Sequence, residues 1–392
     1  MSQEHPKRQI LVFAHVPPPH HGQSVMVDLM LRGLARDPSF RIFHVDARLS
    51  EDLGDVGGIR VGKLGSLLVH CVRALLVRLR HGPMDLYYIP APAKKSAIIR
   101  DWFAMAALRP WFSRTILHWH SMGLGAWACG AIDAGQSIRR VFPGFLDRPA
   151  RYLTRLLLGG ADCSLVLSES ARGEVALLRP KRMSVVPNGI PDPCPDFAEH
   201  VLPLRRKRDD TSPYRCLYLA HCTGEKGLFD TVEAVGLANE LLARRGSSPG
   251  IVLTVAGSFM NGEDQRRFQA ILEGIPESAV RHVGFAAGSE KIQLLRSHDC
   301  LVSFSRRETF GLNVVEALAF GMLPCLSPIA PYLENFSEAA IIAEDRTPAA
   351  YAKALSSCAL AVPRPEIMRG LFLGSFSEGK FTERITEALK ED

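Results

Sequence analysis

No stretch of the 392 residues runs for the ~20 uncharged apolar positions that would span a bilayer. The polar start, Met1 to Gln9, leads directly into an apolar strand, so no signal peptide is expected. No Cys-x-x-Cys pair occurs among the nine cysteines, whose count is odd and whose spacing is irregular. Several sit inside apolar runs, as in Cys300-Leu301-Val302, which predicts buried free thiols and a reducing, cytoplasmic setting. No Gly-x-Gly-x-x-Gly follows the first apolar run; Pro17 to Ser24 stands there, which argues against a nicotinamide oxidoreductase. No Asp-x-Asp is present to hold a catalytic metal, and no lysine is singled out for pyridoxal phosphate. Short repeats and low-complexity tracts are also missing. Basic residues exceed acidic ones only by 47 to 41, with no basic patch interleaved with aromatics. Nucleic acid is therefore not an expected partner, whereas an anionic small molecule or an anionic membrane surface is compatible.

The length suits two domains. Short runs that are apolar on both faces alternate with longer amphipathic stretches. In the first half the runs are Ile10–His15, Phe40–Val45, Asp85–Ile89, Thr115–His120, Cys163–Leu167 and Met183–Val186. They read as buried parallel strands, with helices over Val25–Ala35, Leu64–Leu79 and Ile98–Leu108. Five prolines between 187 and 203, then the charged stretch Arg205–Asp210, read as a linker. Alternation then restarts. Strands are predicted at Cys216–Ala220, Ile251–Ala256, Arg281–Phe285, Cys300–Phe304 and Leu323–Ser327. The prediction is an α/β protein of two Rossmann-like, doubly wound domains facing across a cleft. The boundaries are 8–195, a linker at 196–213, 214–375, and a terminal helix in 376–392 returning toward the first domain.

One segment carries the chemistry. A buried strand ends near Phe304, a loop bears Arg306, Arg307 and Glu308, and Gly311 opens a helix that stops at Gly321. Free N–H groups at a helix start, with the positive end of its dipole, form a diphosphate site. Gly311 lets backbone approach the phosphates. Glu316, four residues past Leu312, lies about one turn into the helix, where a carboxylate can accept from both ribose hydroxyls. Glu308 precedes the turn and faces the far side of the phosphates, toward a donor sugar. Ordinary solvated glutamates on a surface loop and helix are the bland alternative, which the run Thr309-Phe310-Gly311 and the sequence Glu316 to Gly321 oppose.

This segment resembles the Glu-x7-Glu signature of retaining glycosyltransferases with the GT-B fold, glycosyltransferase family 4 (glycosyl transferases group 1). Other positions match in order. Ala220 to Gly227 stands where the family has Gly-Arg and then Lys-Gly, so Lys226 is retained and His221 replaces the arginine. Val283-Gly284-Phe285 resembles the strand end that contacts the donor base. Val186 to Ile190 resembles the Pro-Asn-Gly turn closing the first domain, and Gly22-Gln23-Ser24 ends the first loop. The resemblance covers nearly the whole chain and is most specific in its second half.

The resemblance implies Glu308, His120 and Lys226 as catalytic residues. It implies donor contacts from Glu316, Gly311, Leu312, Phe310, His221, Phe285, Gly284 and Arg306, with Gly22, Gln23 and Ser24 at the acceptor side. It also implies retention of configuration, with Lys226 and the helix start taking the place of a metal and no cofactor beyond the nucleotide-sugar substrate. His118 and His120 point to one side of a strand, but no third ligand at recognisable spacing supports a metal, and His118 reads as structural. The segment Leu64–Arg80 is apolar with basic residues. It is either an internal Rossmann helix with a solvated basic edge or a membrane-surface helix. The expected function is transfer from a nucleotide-diphosphate sugar to a glycan or lipid-linked acceptor in bacterial polysaccharide or lipopolysaccharide biosynthesis, at the inner face of the cytoplasmic membrane. The alternatives are a glycosyltransferase-like protein that only binds, and a nucleotide-sugar epimerase on the same fold.

Overall fold

Among the described residues twelve short apolar segments become strands, six in each of two separate parallel sheets. The computed structural model describes residues 7–18, 22–48, 61–131, 141–207, 211–246 and 250–391, with the backbone alone for 61–64. Pro19, His20 and His21 of the first loop lie outside the described residues. The chain divides into two units, one of residues 1–188 with 381–392, the other of 189–380.

In the first unit the strands are β1 (Arg8–Phe13), β2 (Phe40–Val45), β3 (Asp85–Tyr88), β4 (Thr115–Trp119), β5 (Cys163–Val166) and β6 (Met183–Val185). They lie in the order β2-β1-β3-β4-β5-β6. Residues such as Leu11, Val12, Leu86, Ile116 and Leu117 are fully buried because helices cover both faces of a parallel sheet. The helix Glu378–Lys390 contributes buried Phe381, Ile385 and Leu389. Arg8 donates to the Leu389 carbonyl and Lys390 pairs with Asp37 at 2.8 Å, so this terminal segment is part of the first unit.

The second unit holds β7 (Tyr214–Leu219), β8 (Ile251–Ala256), β9 (Val280–Gly284), β10 (Cys300–Ser303), β11 (Leu323–Leu326) and β12 (Ile341–Ile342). Their order is β12-β11-β10-β7-β8-β9. Chain order reverses between β1 and β3 in one sheet and between β7 and β10 in the other. At such points the loops leave in opposite directions and open a crevice at the carboxyl ends of the strands. The stretch Glu308 to Glu316 follows β10 directly.

Of the segment 196–213, read as a linker, residues 196–207 are instead folded into the second unit. Phe197–Val201 and Leu202–Arg206 are helical. Arg205 is buried and donates to the carbonyls of Leu295, His298 and Phe320. Helix ends leave acceptors unsatisfied, and one guanidinium has enough donors to serve three of them. A charge that looked solvated is therefore a packing element, and the boundary between units falls at 188/189.

All nine cysteines are free and all but Cys129 are buried. Burial pushes the Cys71, Cys194 and Cys222 thiols up to about 11, which keeps them protonated and inert. Among the described residues no helix is long and apolar enough to cross a membrane.

Candidate functional site

The crevice of the second unit is built from glycines that side chains could not replace. Gly227 has φ 74°, and a Cβ there would lie 2.1 Å from the Phe304 carbonyl oxygen. This contact brings the end of the loop after β7 against the end of β10. Gly311 has φ 106° and caps the helix Leu312–Ala319 without a side-chain hydrogen bond. A Cβ at Gly311 would meet the Tyr332 ring at 2.8 Å. Asn313 donates to the Leu219 carbonyl at 3.2 Å, which ties the helix start to the end of β7.

Two lysine–carboxylate pairs occupy this edge. Lys226 Nζ donates to Glu308 Oε1 at 2.5 Å, and Ser305 Oγ donates to the same oxygen at 3.2 Å. Lys291 Nζ donates to Glu316 Oε1 at 2.5 Å. The carboxylates are mostly sheltered while the lysines are about one-third exposed, so a ligand can reach the cations first. Lys291 lies on the helix Gly288–Ser297 that follows β9. It was not singled out from the sequence, and no local pattern joins it to Glu316 25 residues later.

The remaining predicted residues divide. Gly284 adopts φ 77° at the end of β9 and presents Phe285, which is 66% exposed. His221 is exposed, and its carbonyl accepts from the Tyr218 hydroxyl at 2.7 Å. Arg306 is held by Asp230 through contacts of 3.1 and 3.2 Å. Phe310 is buried against Phe336 and Phe376, so only its backbone is available to a ligand. Leu312 is half-buried at the helix start.

In the first unit, His120 follows β4 and is half-buried. Its ring stacks at a tilt on that of His118, with centroids 4.1 Å apart, as expected for alternate positions of one strand. The Tyr87 hydroxyl is hydrogen-bonded with His118 Nδ1. Burial, with His120 adding to it, holds the His118 imidazole well below its ordinary range, so it is neutral. Among the described residues no group of three or more histidine, cysteine or acidic side chains is arranged for a metal. The turn after His120 depends on Glu174, whose carboxylate accepts from the Gly123 N–H at 2.7 and 2.8 Å and the Gly125 N–H at 2.8 Å. Glu174 is remote in sequence and was also missed. Gly22 is exposed, Ser24 is buried, and Gln23 lines a cleft with His15, Tyr88 and Arg100.

A cavity of about 360 Å³ lies elsewhere in the second unit, lined by Tyr214, Asp299, Leu323 and Ile341. These residues sit at or next to the amino ends of their strands, the wrong edge for a ligand in this topology. The loops at the carboxyl ends are the better assignment.

The fold is that of GT-B glycosyltransferases, two Rossmann-like α/β domains. HepE from Anabaena, solved with UDP and glucose, superposes with a TM-score of 0.63 over 98% of this chain and 99% of that one, at 14% identity. Residues 204–360 match the family described as Glycosyl transferases group 1. The chain is 32% identical over 184 residues to the glycogen synthase of Mycobacterium tuberculosis, covering 45% of this chain and 40% of that protein. It is 27% identical over 164 residues to the GDP-mannose:cellobiosyl-diphosphopolyprenol alpha-mannosyltransferase of Xanthomonas oryzae, covering 41% and 39%. The match thus spans about two-fifths of each relative's length.

Proposed function

We propose that this chain is a glycosyltransferase that moves a sugar, with retention, from a nucleotide-diphosphate sugar to a glycan or lipid-linked acceptor. The observation that carries the reading is the Lys226–Glu308 pair beside the helix start at Gly311. Loss of a nucleoside diphosphate builds negative charge on the β-phosphate oxygen, and catalysis requires positive groups already aimed there. The helix start and Lys226 supply that charge without a metal. The incoming diphosphate takes Lys226 from Glu308, and Glu308 then faces the donor sugar. Glu316 accepts from the ribose hydroxyls, with Lys291 holding its carboxylate in place.

Phe285, Gly284, Leu312 and the Phe310 backbone complete the donor side. His221 supplies an imidazole where the related pattern has arginine. His120 and the loop Gly22 to Ser24 belong to the sugar and acceptor side. The HepE complex, solved with UDP and glucose, and the Xanthomonas relative, named for GDP-mannose and a diphosphopolyprenol acceptor, support this donor class and a lipid-linked acceptor. The cellular role that follows is assembly of a bacterial polysaccharide or lipopolysaccharide at the inner face of the cytoplasmic membrane.

The test is a thermal-shift screen of UDP-, GDP- and ADP-sugars followed by turnover of whichever stabilises. A donor at a hundredfold excess over its Kd adds about 2.7 kcal/mol to the folded state. Glu308→Ala is expected to lower donor turnover roughly 10²–10³-fold, the usual cost of losing one electrostatic group. Stabilisation without turnover in the unaltered chain points to a protein that only binds. Conversion of the donor sugar without acceptor points to an epimerase.

A further inference from the structure

We infer that the helical face of the first unit formed by Val61–His81, Lys95–Leu108 and Gly144–Leu158 docks on an anionic phospholipid surface. The inference rests on the lipid-linked acceptor for its purpose, but its evidence is separate from the donor site. These helices lie on the connections β2 to β3, β3 to β4 and β4 to β5, which all advance the same way along the sheet. Right-handed crossovers therefore put them on one side, and the helix Gly22–Ala35, on the reverse connection, on the other.

The three form a continuous layer. Trp102 on the middle helix donates to Thr154 at 2.8 Å, and Arg78 donates to the Trp111 carbonyl at 2.8 Å.

Each outer helix is apolar on two sides. In Val61–His81, Leu67, Cys71 and Ala74 face the core. Leu68, Val72, Leu76 and Leu79 form a second stripe, at spacings of four, four and three, that is 47–69% exposed. In Gly144–Leu158, Ala150, Thr154 and Leu158 face inward, while Phe145, Tyr152 and Leu156 are 61–84% exposed. Between them the middle segment exposes Phe103 and Trp111, each 56%. An ordinary Rossmann helix with a solvated edge needs only the inner stripe. A second stripe on adjacent helices is the mark of an interaction surface.

Charge selects the occupant. Residues 61–158 contain fourteen Lys and Arg against four aspartates and no glutamate, an excess of ten where the whole chain has an excess of six. Of those aspartates, Asp85, Asp101 and Asp147 are buried and paired with Arg8, Arg100 and Arg151. Asp133 lies outside the described residues. Arg73, Arg80 and Arg148 are exposed beside the apolar stripes. Aliphatic and aromatic side chains flanked by arginine, with no exposed carboxylate among the described residues of this span, complement acyl chains beneath an anionic headgroup layer.

The experiment is co-sedimentation of the full chain with vesicles of phosphatidylcholine alone and of phosphatidylcholine and phosphatidylglycerol in equal parts, at low ionic strength. The chain is expected to pellet with the anionic vesicles and not with the neutral ones. Leu76→Glu with Phe145→Glu, both at exposed positions, is expected to weaken binding about tenfold or more, as is Arg73→Glu with Arg148→Glu. Donor-induced thermal stabilisation should be unchanged in both variants, which shows that they are folded. Three results overturn the inference: no binding to anionic vesicles, equal binding to both compositions, or a dimer in sedimentation velocity that Leu76→Glu dissolves. Vesicle binding without any donor effect would leave the docking face standing and remove the transferase reading instead.

Discussion

At the scale of single residues, the candidate site depends on groups whose alternatives are excluded by geometry. Gly227→Ala adds a Cβ 2.1 Å from the Phe304 carbonyl at a left-handed backbone position. It should cost roughly 2 kcal/mol or more in denaturant unfolding, and it should separate Lys226 from Glu308. Lys291→Met is expected to weaken nucleotide-sugar affinity about tenfold while lowering stability by only about 1 kcal/mol, since the pair is partly open to solvent. Isothermal titration with the stabilising donor decides it. His118 and His298 govern the acid side. Burial holds both imidazoles below the ordinary value of 6.5. His298 is held at both ring nitrogens, Nδ1 by the Leu294 carbonyl and Nε2 by the Thr254 hydroxyl, each at 2.8 Å. Because the folded value is lower, the unfolded chain takes up the protons first. The stability is fully present above about pH 6.5 and declines as pH falls below it. Urea midpoints measured from pH 7.5 down to about 5 should show this decline, and His298→Asn should make it shallower.

At the scale of elements, the alternation of short apolar runs with longer amphipathic stretches located eleven of the twelve strands described to within two residues, because run length and the flanking turn residues separate a strand from a helix. The twelfth, Ile341–Ile342, is too short to register. The helix Leu312–Ala319 was legible from Gly311 and Gly321, which the chain needs at positive φ on either side of it. The stretch Phe197–Arg206 was not. Its prolines and arginines look solvated until the carbonyls that Arg205 serves are brought beside it from 90 or more residues away. Glu174 has the same character, binding the turn after His120 from another helix. Glu174→Ala should destabilise the chain by about 2 kcal/mol, as expected for removing a charged acceptor from N–H groups that then have no partner. Chemical denaturation measures the cost, and protease sensitivity near Gly123 locates it.

At the scale of the whole molecule, each unit carries a strand-order reversal, and in the second unit it brings together the loops after β7 and β10. The terminal segment 381–392 joins the first unit although the second intervenes in sequence. Removing residues 378–392 should therefore destabilise the first unit. Phe381, Ile385 and Leu389 are each worth about 1.5–3 kcal/mol of burial. Donor-induced stabilisation of the second unit should survive, and calorimetry with and without the nucleotide-sugar separates the two effects.

The sequence by itself determined the strand and helix succession, the spacing from Glu308 to Glu316 and the retained Lys226, because periodicity and turn chemistry are local. Tertiary structure decided what those residues touch. It paired Glu308 with Lys226 and Glu316 with Lys291, took the Phe310 ring into the core, committed Arg306 to Asp230 and turned a supposed linker into a packed helix. It also exposed a second apolar stripe on Val61–His81. Each of these depends on elements far apart in the chain, and local pattern carries no record of which distant surface a side chain will meet.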